Sequence, residues 1–121
     1  MQEAKWGCIV TVTSGTVALG SANYLHYITS KSAMIGITRS MARELGPWNV
    51  TVNTFWPGII KTEVPRPSAP VDVFEMLRDQ QCLPRLTTIE DLSKPMFFLC
   101  SEEANYMIGQ IFEPDGGLSF N

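Results

Sequence analysis

Two short β-branched runs, from Cys8 to Thr13 and from Val50 to Trp56, flank a long stretch of helical periodicity, and this alternation narrows the fold more than any other feature. The first run, Cys-Ile-Val-Thr-Val-Thr, is almost continuously apolar or β-branched, as a parallel strand covered on both faces must be. Between the runs, Leu25–Leu45 carries Met34, Ile37, Met41 and Leu45 at helical intervals, with Ile28, Ile35 and Ala42 forming a second stripe. A helix apolar on two sides calls for two partners, here the sheet and a second subunit. Gly46-Pro47 is expected to stop it, the glycine by turning left-handed.

Pro57-Gly58 closes the second strand, and residues 62–70, with Pro65, Pro67 and Pro70, read as a loop. A short helix is expected from Val71 to Cys82. Thr87-Thr-Ile-Glu90 has the spacing of a capping box, and Leu92, Met96, Leu99 and Cys100 share one face of the helix it would start, with Pro95 bending it. The run from Gly109 to Pro114 predicts a third strand, and Asp115-Gly116-Gly117 a turn away from it. Strands alternating with helices imply right-handed crossovers and an α/β fold with a parallel sheet of about three strands.

With 121 residues and 45% hydrophobic content, residues 1–121 read as a single small domain. The 9 Lys and Arg are scattered against 12 Asp and Glu, so no basic face offers itself to nucleic acid. Apolar runs such as Met96 to Cys100 are too short to span a membrane, and the first residues lack the basic and apolar regions of a secretory leader, so a cytoplasmic chain is expected. Cys8, Cys82 and Cys100 have no CxxC spacing for metal or redox work and read as buried, reduced thiols.

Tyr27-Ile-Thr-Ser-Lys31 sets a phenol and an ammonium one helical turn apart on one face, where both can act on one ligand. A free phenol titrates near pH ~10, and one ammonium about 4 Å away in an effective dielectric near 20 can supply the roughly 4 kcal/mol needed to make it a proton shuttle at neutrality. The same spacing also occurs in ordinary solvent-facing helix pairs. Ser14 lies 13 residues before Tyr27, at the carboxyl end of the first strand, where open α/β sheets bind their ligands. Its hydroxyl could donate to a substrate carbonyl oxygen or bond its own turn.

Taken together, these pieces resemble the short-chain dehydrogenase/reductase family over essentially the whole chain. Ile9-Val-Thr-Val-Thr-Ser14 resembles the family's strand ending in the active-site serine, and Tyr27-Ile-Thr-Ser-Lys31 its Tyr-x-x-x-Lys signature. Arg43-Glu-Leu-Gly46, Val52-Asn53, Pro57-Gly58-Ile-Ile-Lys-Thr62, Leu83-Pro-Arg-Leu86, Glu90-Asp91, Phe98-Leu-Cys-Ser101, Gly109-Gln110 and Asp115-Gly-Gly117 follow in the family's order.

The resemblance implies the C-terminal part of a Rossmann-like, doubly wound parallel sheet, a partial domain whose N-terminal dinucleotide-binding half is absent. It implies an oxidoreductase interconverting a carbonyl and a secondary alcohol with NAD or NADP. Tyr27 would be the general acid or base, Ser14 would hold the substrate oxygen, and Lys31 would lower the Tyr27 pKa and bond the nicotinamide ribose. Pro57 and Gly58 would wall the nicotinamide, with the Ile60 backbone and the Thr62 hydroxyl at its carboxamide end. Residues 63–84 would cover a small-molecule substrate, and Asn53 would be structural. The glycine-rich pyrophosphate turn and the catalytic asparagine of the family have no counterpart in this sequence, so the cofactor site is incomplete. The alternative implied is a non-catalytic remnant. It would act as a homo-oligomer or pair with a missing N-terminal half, through the Leu25–Leu45 helix and the strand from Cys8 to Thr13.

Overall fold

The alternation of strand and helix produces a three-stranded parallel sheet of β1 (Gly7–Val12), β2 (Val50–Phe55) and β3 (Ile111–Phe112), in the order β1-β2-β3. The structure is a computed structural model that describes residues 1–64 and 72–120. In register, Gly7 faces Val50 and Val12 faces Phe55, while Thr54 and Phe55 face Ile111 and Phe112. All six residues of β2 are buried, which accounts for its run of Val, Thr and Phe: a central strand covered on both faces has no solvent side to make polar.

Among the described residues, four α-helices accompany the sheet: α1 (Thr16–Leu19), α2 (Leu25–Leu45), α3 (Val73–Arg78) and α4 (Ile89–Leu99). Helix α2 has the bounds that its periodicity predicts and packs on β1 and β2. Its one buried residue is Thr38, whose hydroxyl meets those of Thr11 at 2.6 Å and Thr54 at 2.8 Å. These three threonines pair their hydroxyls between sheet and helix, so none is left buried without a partner. Leu25 and Ile37 are exposed.

Several local expectations need correction. Gly46 is right-handed and continues into a 3₁₀ turn, Gly46–Trp48; the left-handed residue is Asn49, whose amide donates to the Lys5 carbonyl. The capping box uses Thr88 and Asp91, one residue later than Thr87 and Glu90. The third strand is only Ile111–Phe112, because Gly109 has φ +72 and leaves the extended region. Helix α3 is shorter than the expected Val71 to Cys82, and residues 65–71 of the proline-rich loop lie outside the described residues. Pro95 does lie inside α4. Cys82 and Cys100 are exposed rather than buried, and Cys8 is half-buried, its thiol donating to the Leu99 carbonyl at 3.0 Å. Burial pushes the Cys8 thiol above its ordinary value. Among the described residues, no helix is long and apolar enough to cross a membrane.

Asp91 also anchors Arg85 through two bonds of 2.6 and 2.7 Å. The Arg85 guanidinium, then the Thr88 backbone N–H and hydroxyl, hold its carboxyl well below the usual carboxylate range. A depressed folded pKa means that this cap contributes its full stability above the ordinary carboxylate range and loses it as pH falls through the folded pKa. A carbon-detected titration of Asp91 should therefore give a midpoint below that of an Asp model peptide, and Arg85→Ala should raise it.

Candidate active site

The carboxyl end of β1 and the first turns of α2 meet at a cleft of about 230 Å³. Two bonds join them. The Thr13 hydroxyl donates to the Lys31 carbonyl at 2.9 Å, and the Lys31 ammonium donates back to the Val12 carbonyl at 3.1 Å. Lys31 is thus fixed against the strand end that delivers Ser14. Its Nζ lies 5.8 Å from the centroid of the Tyr27 ring, one turn earlier on α2. Tyr27 in turn meets the Tyr24 ring edge-on at 6.2 Å, while His26 is exposed.

Ser14, Tyr27 and Lys31 line this one cleft, with Pro57 and Gly58 opposite. The Ser14 oxygen accepts from the Thr16 hydroxyl at 3.0 Å and lies 3.4 Å from the Thr16 N–H. Used locally as an acceptor, the hydroxyl keeps its own proton for a ligand. Lys31 likewise has two N–H donors beyond the one given to Val12. The donor set is therefore two hydroxyls and an ammonium, which suits a polar carbonyl or sugar hydroxyl.

Ile60 and Thr62 are not part of the lining. Ile59 lines the cleft instead, Ile60 bridges to Thr87 in parallel pairing, and Thr62 is exposed. Leu77 of α3, within the expected cover 63–84, also lines it, and so do two residues that sequence reasoning did not assign to the site, Asp115 and Leu118. Sequence spacing carries no signal for them, since their approach depends on how the chain closes after β3. A second hollow of about 210 Å³ is lined by Arg85 and Asp91, but their charges are spent on each other.

A sequence profile described as enoyl-(acyl carrier protein) reductase matches residues 1–119. The chain belongs to the short-chain dehydrogenase/reductase family. It is 34% identical over 118 residues to a 3-oxoacyl-[acyl-carrier-protein] reductase of Aquifex aeolicus, covering 98% of this chain and 47% of that protein. A reductase of the same name from Pseudomonas aeruginosa is 36% identical, again over 98% of this chain and 47% of the relative. A crystal structure described as a short-chain alcohol dehydrogenase from Sinorhizobium meliloti superposes with a TM-score of 0.87 at 30% identity, covering 97% of this chain and 47% of that one. The chain thus spans about half the length of the relatives it matches, and its sheet is the corresponding fragment of a Rossmann-like dehydrogenase/reductase fold.

Proposed function

We propose that this dehydrogenase/reductase chain carries the proton-transfer half of an NAD(P)H-dependent oxidoreductase that interconverts a carbonyl and a secondary alcohol. The observation that carries the reading is the convergence of Ser14, Tyr27 and Lys31 on one cleft at the carboxyl end of a parallel strand. Ser14 donates its free proton to the substrate carbonyl oxygen. Tyr27 delivers a proton to that oxygen in reduction and removes it in oxidation. Lys31, held by Val12, has N–H groups left that would hold the nicotinamide ribose hydroxyls.

The nicotinamide–ribose end of such a cofactor fits this donor set, with Pro57 and Gly58, both in the cleft lining, as the wall. A bound NAD or NADP supplies the hydride. The described part of the segment 63–84 would cover the substrate, with Leu77 lining the cleft. The named reductases of Aquifex and Pseudomonas make a 3-oxoacyl compound the first substrate class to try.

The test is complementation. Co-expression with the N-terminal half of a related reductase should yield NAD(P)H oxidation that depends on a carbonyl substrate. Absence of both cofactor binding and turnover across a carbonyl panel would refute the reading.

The second reading is an association module. It is favoured by β1, whose outer edge is unpaired among the described residues, and by the exposed Leu25 and Ile37 on α2. Sedimentation of the chain alone distinguishes it, since an association module forms a stable oligomer without complementation.

A further inference from the structure

We infer that Asp115 is a positioning residue of the cleft, fixing the turn that backs Gly58 and seats the helix carrying Leu77, so that it governs how tightly an apolar substrate is held. This deepens the oxidoreductase reading and rests on it. Asp115 is 2% exposed, and its carboxylate is saturated by one short segment. One oxygen accepts from the N–H groups of Gly117 at 2.8 Å and Leu118 at 3.2 Å. The other accepts from the Ser119 N–H at 2.8 Å and lies 2.8 Å from the Ser119 hydroxyl, whose single proton is shared with the Glu113 carboxylate at 2.6 Å. Gly116 and Gly117 have φ of +73 and +77, a left-handed pair that the carboxylate closes into a turn.

That turn is joined to the cleft on two sides. Toward the wall, the Gly58 N–H donates to the Pro114 carbonyl at 3.2 Å, and a Cβ on Gly58 would lie 2.7 Å from the Asp115 Cα. Wall and turn therefore touch through backbone, with no slack. Toward the cover, Cys82 N–H donates to the Gly117 carbonyl at 3.3 Å and Leu83 N–H to the Gly116 carbonyl at 2.9 Å. A Cβ on Gly117 would lie 2.9 Å from that of Cys82. These clamps fall just after α3, whose Leu77 lines the cleft beside Leu118. One buried carboxylate thus sets both apolar contacts, Leu118 through its own turn and Leu77 through the clamp. The Asp115 carboxylate is bonded within its own turn, apart from Ser14, Tyr27 and Lys31, so its influence falls on substrate holding and leaves proton transfer alone.

The experiment compares Asp115→Asn, Leu77→Ala and the double variant in the complemented protein, with a short and a long 3-oxoacyl thioester as probes. Asp115→Asn should raise KM for the long ester about tenfold and leave kcat within about twofold, the signature of lost uniform binding. Leu77→Ala should do the same, and the double variant should be no worse than the poorer single one, since both remove the same contact. Should Asp115→Asn fail to fold by circular dichroism, Ser119→Ala, which removes the hydroxyl shared between Asp115 and Glu113 and leaves the three N–H donors, should give a smaller KM rise in the same direction. A fall in kcat at unchanged KM, or additive effects, overturns the inference.

Hydrogen exchange supplies a readout independent of turnover. Asp115→Asn should speed exchange of the Cys82 and Leu83 amides about tenfold relative to that of Val52 on β2. Unchanged exchange at Cys82 and Leu83 also overturns it. Wild-type protein that turns over neither ester counts against the 3-oxoacyl substrate class instead, and the exchange rates then decide whether Asp115 seats the cover.

Discussion

Tyr27→Phe in the complemented protein is expected to lower kcat by about 10²- to 10⁴-fold, the contribution typical of a positioned general acid or base. The substitution is clean because it removes only the phenol oxygen. The ring that meets Tyr24 edge-on at 6.2 Å and lies beneath the Lys31 ammonium stays in place. Ser14 keeps its proton for the substrate oxygen, and Lys31 keeps its bond to Val12, so substrate and cofactor binding should persist. Steady-state kinetics should accordingly show the loss in kcat with KM little changed, the pattern of an interaction made in the transition state alone. A variant retaining more than about a tenth of wild-type kcat would remove Tyr27 from the proton-transfer role.

What the sequence reveals here depends on how local the cause is. Helix α2 is legible to the residue because its apolar spacing extends over many turns, and Tyr27 and Lys31 are legible with it because helical geometry alone puts them on one face. Ser14 is legible because a strand end in an α/β sheet is a place where ligands bind. The failures occur where two local rules compete. Gly46 yields the left-handed position to Asn49, because Pro47 is accommodated in one more helical turn before the chain reverses. Thr87 and Thr88 are both fit to cap, and Asp91, which also binds Arg85, decides for the second. Helix α1 spans four residues, too few to show a period. Cys100 is exposed because it caps the end of α4. Asp115 and Leu118 could not be assigned to the cleft because each arrives by tertiary closure, whereas Leu77 falls inside the cover that the resemblance implies. Asp115 reads as a turn residue, and only the folded chain shows that its turn backs Gly58.

Asn53→Leu is expected to destabilise the chain by about 2 kcal/mol, because it leaves two part-buried backbone groups without their side-chain partner at once. Asn53 is 0% exposed in the middle of β2. Its amide nitrogen donates to the Met107 carbonyl at 2.8 Å, and its amide oxygen accepts from the Gln110 N–H at 3.0 Å. Those two groups lie on either side of Gly109, whose own N–H donates to the Val52 carbonyl at 2.7 Å, so Asn53 completes the pairing of β2 with the segment that leads into β3. A leucine fills the same volume and supplies neither bond. Each unpaired buried group costs about 1–3 kcal/mol, and a domain has roughly 5–15 kcal/mol in total, so one side chain accounts for a large share. Urea titration should show the midpoint falling at unchanged slope. Asn53→Asp retains an acceptor for Gln110 but has no donor for Met107, and an ionised carboxylate buried there should make it no milder. A loss below about 1 kcal/mol in either variant would mean that relaxation or water satisfies Met107 and Gln110 without Asn53. The consequence reaches the site. Asn53 fixes where the chain enters β3, β3 runs through Pro114 into the Asp115 turn, and that turn touches Gly58. An asparagine on the buried strand and a carboxylate beyond β3 thus set in sequence the wall of the cleft that Ser14, Tyr27 and Lys31 share.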